Sequence, residues 1–449
     1  MSAGAAGRQR RSGEARSLRV RLFGGLLLWV STLYCSPKLR TGQGRGRAGS
    51  GLYPELGMLG IQAGKSPALV RDVGRLSALL PSYEAVQHEL AERGLQLNIK
   101  EVHGIGRYAA QAALTFRKRE LELYRQGQLP AADGRGKRFG AMIDGGRTKI
   151  RKTKRRQKGR GKTKTQTRRY QTDWREPKQI IVFEMDEQGR MKKGTKPIID
   201  GTFQGPDEIM EVLALRLHQV GAAQAEHVAF RSDGAPWIWE RLDWVIKRLG
   251  LKKSQVSRGL DWCHGVHHVS LALEALEPWV SVAARPRLFK KLRKWLKNGR
   301  WQQVTNELTR LAIEADAPDD GPVWTEIDFL ERHGDAGHMA YASFRRRQLP
   351  VGSGAIESAI RRVINLRMKG NSVFWKEENA EGMLVLRGLV LGRRWPETFA
   401  KISVSMSGDR RLDWQWQSPA MAAQLKADIE IAPPTPQPAP LPTGYAAAA

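Results

Sequence analysis

The order in which strand-like and helix-like patterns follow one another between positions 138 and 263 most constrains the fold of this chain. Apolar residues that alternate or run together predict strands at 138–144, 179–185, 196–203, 226–232 and 259–263. Apolar residues at helical spacing predict helices at 206–220 and 236–249. The segment is therefore expected to form one sheet with helices packed against it.

Three strands, a helix, a strand, a helix and a strand form the element order of a ribonuclease H-like α/β fold, a mixed sheet with helices on both faces. Residues 264–349 carry helical patterns and are expected to form an all-helical insertion. Long helices are predicted after it, at 354–369 and 375–392. The ribonuclease H-like domain then comprises residues 138–263 and 350–400.

The two ends of the chain have compositions that disfavour a packed core. Residues 1–51 are basic and are expected to be flexible, except for a β-hairpin at 22–35 with its turn at Gly24 and Gly25. The same apolar run, which follows basic residues, also resembles a secretory signal, and the sequence leaves that alternative open. Residues 431–449 are rich in Pro and Ala and are predicted to be disordered.

Residues 52–127 carry three helical patterns, at 66–80, 82–93 and 99–126. The short connection before the third helix is compatible with a helix-turn-helix that binds DNA, in which Lys100, His103 and Arg107 face the DNA. An ordinary helical bundle explains the same pattern equally well.

The chain carries a large excess of positive charge, with 75 Lys and Arg against 45 Asp and Glu and a formal net charge of +30. This balance indicates a polyanionic partner, and nucleic acid is the leading candidate. The two cysteines, Cys35 and Cys263, lack disulfide-framework or zinc-site spacing, which favours a reducing cytoplasm. No stretch reaches the roughly 20 apolar residues of a membrane span, so no membrane partner is expected.

Three acidic residues stand where a metal-dependent site is expected. Asp144 and Asp233 each end an apolar strand and precede glycine, and on adjacent strands their repulsion is costly unless a cation binds. Glu357 lies in the first turn of a predicted helix, with Arg361 as an accessory residue one turn later. Turn formation and helix capping are the ordinary explanations for these acids. Three carboxylates also suit Mg²⁺ or Mn²⁺ and the cleavage of phosphodiesters, which two such ions promote.

Six blocks follow one another along the chain: MIDGGR, DWREPK, SDGAPWIW, DWCHGVHH, GSGAIESAIRRVINLRMKG and FWKEENAEGMLVLRGL. In this order they resemble bacterial insertion-sequence transposases of the Kra type, which are related to the Mutator-like DDE transposases. The resemblance spans roughly residues 20–400 and is most specific at SDGAPWIW and GSGAIES. It implies a helical insertion before the last acidic residue, and it gives Asp144, Asp233 and Glu357 the acidic triad positions. Asp173, in DWREPK, is an acidic alternative to Asp144.

A dense cluster ends the predicted fifth strand and continues beyond it, with Asp261, Cys263, His264, His267 and His268. Zinc is disfavoured, because no complementary Cys or His pair stands elsewhere at the usual spacing. In the related transposases a similar step accompanies the active site. Asp261 and His264 are therefore expected to be accessory residues, and contact with DNA, positioning and structural hydrogen bonding all remain open.

The strongest electrostatic feature directly follows the first predicted strand, where positions 147–169 hold 13 basic residues and no acidic one. A run of this kind is usually solvated, and on DNA it contacts phosphates without reading the base sequence. The predicted DNA-contacting residues are Arg147, Lys149, Arg151, Lys152, Lys154, Arg155, Arg156, Lys158, Arg160, Lys162, Lys164, Arg168 and Arg169.

The residues and the resemblance together predict a DDE-type DNA transposase that uses two Mg²⁺ or Mn²⁺ ions. It would bind double-stranded DNA at the terminal inverted repeats of its element, cleave a strand and join the freed 3′ hydroxyl to target DNA. A homodimer or a larger synaptic assembly is expected, because two ends must be brought together, and a bacterial, nucleoid-associated cytoplasmic location is expected. The alternatives are a ribonuclease H-like nuclease or resolvase that does not join strands, and a non-catalytic DNA-binding protein derived from a transposase.

Overall fold

The computed structural model describes residues 8–10, 16–37, 53–61, 64–153, 170–277, 279–370 and 373–407. The chain is mixed α/β and divides into two compact units. The smaller unit is formed by Met1–Val20, Leu28–Gly64 and Ser405–Ala449, and the larger unit by Arg21–Leu27 and Lys65–Val404.

Within the described residues, the strands are β1 (Arg8–Arg10), β2 (Arg16–Arg21), β3 (Leu27–Thr32), β4 (Cys35–Pro37), β5 (Arg138–Gly145), β6 (Thr148–Thr153), β7 (Tyr170–Arg175), β8 (Lys178–Glu184), β9 (Ile198–Thr202), β10 (His227–Ser232) and β11 (Val256–Leu260). The α-helices are α1 (Pro54–Met58), α2 (Pro67–Leu79), α3 (Tyr83–Glu92), α4 (Ile99–Arg125), α5 (Pro206–Gln219), α6 (Pro236–Leu249), α7 (Trp262–Ala275), α8 (Arg285–Lys297), α9 (Trp301–Glu314), α10 (Pro322–Asp335), α11 (Tyr341–Arg346), α12 (Gly354–Ile360), α13 (Glu377–Leu391) and α14 (Trp395–Ser407). Short 3-10 helices cover Ala222–Gln224 and Lys253–Gln255, and a π-helical turn covers Arg361–Asn365.

Near the N-terminus the strands form two small sheets, because β1 pairs antiparallel with β4 and β2 pairs with β3. The turn between β2 and β3 contains Gly24 and Gly25, whose φ angles of 83° and 85° favour glycine. The predicted hairpin therefore has its turn at these residues, but its first strand begins at Arg16 rather than at position 22. The segment RSLRVR alternates polar and apolar residues, and Val20 is buried.

Side-chain caps set the starts of helices α2, α3 and α4. Ser66 and Ser82 each accept a hydrogen bond from the backbone three residues later, and Asn98 forms a capping box with Glu101. Helix α4 packs against α2 and also against α13. The helices that were predicted as a separate N-terminal domain therefore belong to the same compact unit as the sheet.

The central sheet has five strands in the order β11-β10-β5-β8-β9. Strand β8 runs antiparallel to both of its neighbours, whereas β10 runs parallel to β5 and to β11. The sheet is therefore mixed, and the three parallel strands β5, β10 and β11 share one carboxyl edge.

Helices pack on both faces of this sheet. Ile143 of β5, Ile198 of β9 and Phe230 of β10 are buried in one core with helices α5 and α6. Gly201, three residues after Ile198, points to the opposite face, where a Cβ would meet Leu384 of α13. Helix α12 packs against β5 and β8.

A two-stranded sheet that was not predicted follows β5. Strands β6 and β7 pair antiparallel, with Thr148 opposite Arg175. The start of the basic run is thus a strand rather than solvated coil, because Thr148 and Ile150 are buried and alternate with more exposed residues. The backbone N–H of Arg151 also donates to the Trp375 carbonyl at 2.7 Å.

Three predicted boundaries differ in the structure. The fifth strand of the sheet ends at Leu260 rather than at 263, because Asp261 caps helix α7 and the following residues are helical. The α-helix predicted from 354 ends at Ile360 and continues as the π-helical turn. The helix predicted from 375 begins at Glu377.

The segment between β11 and α12 contains five helices, α7 to α11, and no strand among its described residues, in agreement with the predicted helical insertion. None of the described helices combines the length and the apolar character that a membrane crossing requires.

Candidate functional site

A row of three aspartates follows from the register of the parallel strands. Ser232 of β10 pairs with Ile143 of β5 on one side and with Leu260 of β11 on the other. The next residues along the three segments are Asp144, Asp233 and Asp261. Because neighbouring strands lie about 4.8 Å apart, these aspartates stand side by side at the carboxyl edge of the sheet.

Asp144 is half-buried, and its carboxylate accepts a hydrogen bond from the Gly145 backbone at 2.6 Å. Burial, and then the negative charge of Asp233, raise the pKa of Asp144 to about 6. Glu357 also raises this pKa, whereas the imidazole of His264 lowers it. The pKa of Asp144 therefore responds to the other predicted members of the site, which the fold has brought near it.

Asp233 is held by the turn that links β10 to α6. Its Oδ1 accepts hydrogen bonds from the Ser232 hydroxyl and from the Ala235 backbone, each at 3.2 Å. A Cβ on Gly234 would collide with the ring of Phe329, so the Asp-Gly step is a packing requirement of this turn. The carboxylate of Asp233 is fixed at the strand end by local structure rather than by a cationic side chain.

Glu357 reaches the same region from the helical segment α12. It is exposed, and the Ser353 hydroxyl donates to its Oε1 at 3.4 Å. Arg361, predicted as an accessory residue, begins the π-helical turn and is exposed, and no ion pair joins it to a carboxylate among the described residues. Glu357 therefore acts on Asp144 through its charge, whereas Arg361 forms no ion pair with these acids among the described residues.

Asp261 is almost completely buried and ties two segments together. Its Oδ1 accepts from the His264 backbone at 2.9 Å and lies 3.1 Å from His264 Nδ1, and its other oxygen accepts from the Ser353 backbone. Burial opposes ionisation of Asp261, but these hydrogen bonds lower its pKa to about 2. Asp261 therefore anchors both the start of α7 and the loop that carries Glu357.

The imidazole of His264 lies beside Asp261 and acts on the pKa of Asp144. Its hydrogen bond with Asp261 raises its pKa, and the charges of Asp233 and Asp144 act in the same direction. Asp261, His264 and Glu357 can also place one ligand atom each within 4.8 Å of one another. Both oxygens of Asp261 already accept hydrogen bonds, however, which leaves His264 and Glu357 as the freer groups of that trio.

Asp173, the acidic alternative to Asp144, lies in a different environment. It is on β7, where the ammonium of Lys152 contacts its carboxylate at 2.9 Å. No such partner compensates Asp144, Asp233 or Glu357, since none of these three forms an ion pair with Lys or Arg among the described residues. The donor set fits a divalent cation, because it supplies several partly exposed carboxylate oxygens whose mutual repulsion a cation would relieve.

Comparison with known proteins assigns the chain to no family. No family model matches it, and no curated protein is significantly similar to it.

The described part of the basic run surrounds an exposed tryptophan. The cationic groups of Arg147, Lys149 and Lys369 lie 5.7, 5.1 and 5.9 Å from the ring of Trp174. These distances are in the range of cation–π contacts, so the three cations lie close to this one ring. Positions 154–169, which hold the nine other predicted DNA-contacting residues, lie outside the described residues.

The predicted helix-turn-helix residues are all on one exposed part of α4. Lys100, His103 and Arg107 are exposed, and the His103 ring packs edge-on against Tyr83 of α3 with centroids 4.9 Å apart. Burial, and then Arg107, lower the pKa of His103. This surface is basic through Lys100 and Arg107.

Sequence reasoning missed two features of the site. It placed Asp261 inside a strand as an accessory residue, whereas Asp261 directly follows the third parallel strand, in register with Asp144 and Asp233. The sequence contained a signal for this arrangement, because an Asp follows residues of a predicted strand in each of MID, RSD and GLD. Ser353, which contacts both Asp261 and Glu357, gave no such signal, because its role depends on a contact across 92 positions of the chain.

Proposed function

We propose that the protein is a DDE-type DNA transposase with a ribonuclease H-like catalytic domain, and that Asp144, Asp233 and Glu357 are its catalytic acids. One observation carries the proposal most of all. Asp144 and Asp233 stand side by side at the ends of neighbouring parallel strands, Glu357 adds to the negative charge that acts on Asp144, and none of the three forms an ion pair with Lys or Arg among the described residues, in a chain whose net charge is +30.

The arrangement of the sheet supports this assignment. Along the chain, the strands of the central sheet and the helices between them follow in the order strand, strand, strand, helix, strand, helix, strand. This is the element order that the ribonuclease H-like interpretation requires. Glu357 follows the helical insertion, as the resemblance to Kra-type transposases implies for the last acidic residue. The β6–β7 hairpin is an addition between the first two strands.

Asp144, Asp233 and Glu357 would hold the Mg²⁺ or Mn²⁺ ions. When bound, such ions supply Lewis-acid stabilisation of the attacking and leaving oxygens in phosphodiester chemistry. The protein restrains each of the three acids. The Asp144 and Asp233 carboxylates are held by backbone hydrogen bonds, and Glu357 is held through the loop that Asp261 anchors.

The remaining parts of the chain supply DNA affinity in this proposal. The basic segment that begins at Arg147 would contact phosphates, and the exposed residues of α4 would contact the ends of the element. Two ends must be held in one complex, so a homodimer or a larger assembly is proposed.

Cleavage and joining of a labelled DNA that carries the element's own ends, with Mg²⁺ present, tests the proposal. Asp233→Asn and Glu357→Gln are expected to lower both reactions by about 100-fold or more, because each removes a charged ligand. The matched control is Asp243→Asn, which removes an acid from an exposed ion pair with Arg258 and is expected to leave both reactions unchanged. DNA binding is measured for all variants and is expected to persist.

Three outcomes would contradict parts of this account. Unchanged chemistry in Asp233→Asn and Glu357→Gln would show that the catalytic acids are assigned wrongly. Cleavage without joining in the wild-type protein would favour a nuclease or resolvase. Binding without either reaction would favour a non-catalytic DNA-binding protein.

A further inference from the structure

A cavity of about 360 Å³ lies next to the carboxylate site, and its wall is strongly basic. Its cations come from α8 and α11: Lys290, Arg293, Lys294, Lys297 and Arg345. Trp262, Tyr341 and Val351 complete the lining, which contains no acidic residue. This cavity is called the α8 pocket below.

The sequence of α8 builds this basic wall through helical periodicity. Its four cations are spaced by three, one and three residues, so they share one face of the helix. Leu292 and Leu296 are buried on the packed face. Lys291 lies outside the basic stripe and pairs with Glu307 at 2.9 Å. The four pocket cations of α8, in contrast, form no ion pair among the described residues.

The α8 pocket adjoins the carboxylate site through the backbone. Trp262 directly follows Asp261, and its N–H donates to the Val351 carbonyl at 3.0 Å. Val351 is two residues before Ser353, whose N–H donates to Asp261. The same two segments therefore line the pocket and position the site.

Helix α8 also packs against α7, the helix that Asp261 caps and that begins with Trp262. A strand of nucleic acid bound at the carboxylates would therefore lie near the α8 cations.

We infer that the α8 pocket binds an unpaired segment of DNA adjacent to the strand on which the carboxylates act. This inference rests on the proposed function for the identity of the polymer. The uncompensated cations match a chain of phosphates. The Trp262 ring meets Tyr341 edge-on, with centroids 5.0 Å apart and an interplanar angle of 89°, and is only partly buried. An aromatic ring among cations favours unpaired DNA, because bases free of a duplex can stack on it.

Equilibrium binding to the full chain without divalent metal tests the inference. The ligands are a single-stranded oligonucleotide and a blunt duplex of the same length, and the variant is Arg293→Gln/Lys294→Gln. The matched control is Lys252→Gln/Lys253→Gln, which removes the same charge from exposed residues before the amino end of β11, whereas Asp261 follows its carboxyl end.

The pocket variant is expected to bind the single strand about 10-fold more weakly at about 0.15 M salt. The slope of log affinity against log salt should fall by about 1.4, the amount for two lost phosphate contacts on a single strand. Duplex affinity should change by less than about threefold, and the control should keep the wild-type affinity for both ligands.

Unchanged single-strand affinity in the pocket variant would overturn the inference, and an equal loss on both ligands would overturn its preference for unpaired DNA. No chemistry is needed in this experiment. A protein that binds as expected but never cleaves would contradict the proposed function alone, and a protein that cleaves with unchanged binding would contradict the α8 pocket alone.

Discussion

Asp200 on the edge strand β9 and Asp144 at the end of β5 belong to the same sheet, but their electrostatic surroundings are opposite. Asp200 is buried and is contacted by Arg117 at 3.2 Å and by Arg216 at 2.7 Å. Arg117 also reaches Glu381 of α13 at 2.6 Å. Among the described residues Asp144 forms no ion pair with Lys or Arg, and the groups that act on it are the Gly145 backbone, the acids Asp233 and Glu357 and the imidazole of His264.

The pKa values of the two aspartates record this difference. Burial by itself raises the pKa of Asp200, but Arg216 and Arg117 outweigh it and lower the pKa below its usual value. For Asp144 the effect of burial is reinforced by Asp233, and the pKa rises to about 6. The fold therefore pairs one group of acids with buried arginines, whereas Asp144 and its acidic neighbours form no ion pair with Lys or Arg among the described residues, which separates a structural network from a candidate site.

The largest change in the free energy of unfolding is expected from breaking the buried ion pairs of Arg117 with Asp200 and Glu381. Arg117→Met should lower the free energy of unfolding by about 3–5 kcal/mol, because it leaves the buried charge of Glu381 without its arginine and leaves Asp200 with Arg216 alone. Chemical denaturation measures this change. Arg125→Met, on the same helix, is the matched control and removes an exposed ion pair with Glu211, for which about 0–1 kcal/mol is expected. Equal losses in both variants would contradict the assignment of the network as structural.

At the carboxylate site, removing a charge is expected to raise the free energy of unfolding instead of lowering it. Without divalent metal at neutral pH, Asp144→Asn should stabilise the protein by about 1–2 kcal/mol, because a half-buried charge next to Asp233 is removed. This free energy is smaller than the one that the full pKa shift of Asp144 corresponds to, because solvent screens the partly exposed charge. Destabilisation by the Asn variant would show that Asp144 is already compensated within the protein.

The pH dependence sharpens the same comparison. The folded-state pKa of Asp144 is about 6, above the usual value of an aspartate, 3.8, so the folded state binds more protons between these two pH values. Lowering the pH from 7 to 5 should therefore stabilise the metal-free wild type relative to Asp144→Asn. The difference between their denaturation curves at the two pH values isolates this contribution, and a constant difference would contradict the raised pKa.

The smallest effect is expected at Ser353. Its hydroxyl contacts Glu357 at the long distance of 3.4 Å, whereas its backbone N–H makes the bond to Asp261. Ser353→Ala keeps that N–H, so stability should fall by no more than about 1 kcal/mol, and strand cleavage by less than about 10-fold. A loss as large as that of Glu357→Gln would assign the hydroxyl a direct role.

Local sequence patterns predicted most of the secondary structure. The five strands of the sheet, helices α5 and α6 and the helical insertion each follow from periodicity and from turn residues within a few positions. The β6–β7 hairpin was missed because the cations of TKIRKT obscured its alternation. The end of β11 was misplaced because the capping role of Asp261 competes with a strand assignment.

Long-range charge compensation was beyond the sequence. The contacts of Arg117 with Asp200 and Glu381 join positions 83 and 264 residues apart in the chain. Nothing local distinguishes Asp200, which is neutralised, from Asp144, which is not, because both are strand aspartates followed by glycine. The packing of α5 and α13 against β9, together with Arg117 from α4, separates them.

Titration with Mn²⁺, followed by electron paramagnetic resonance, tests most directly whether the carboxyl edge is reserved for a divalent cation. Wild-type protein and Asp173→Asn should bind Mn²⁺ alike, since Asp173 is paired with Lys152. Asp144→Asn and Glu357→Gln should each weaken binding by about 10-fold or more, because each removes an anionic oxygen ligand. Equal Mn²⁺ affinity in all four proteins would contradict the account, because it would show that Mn²⁺ binds elsewhere in the chain and not at Asp144 and Glu357.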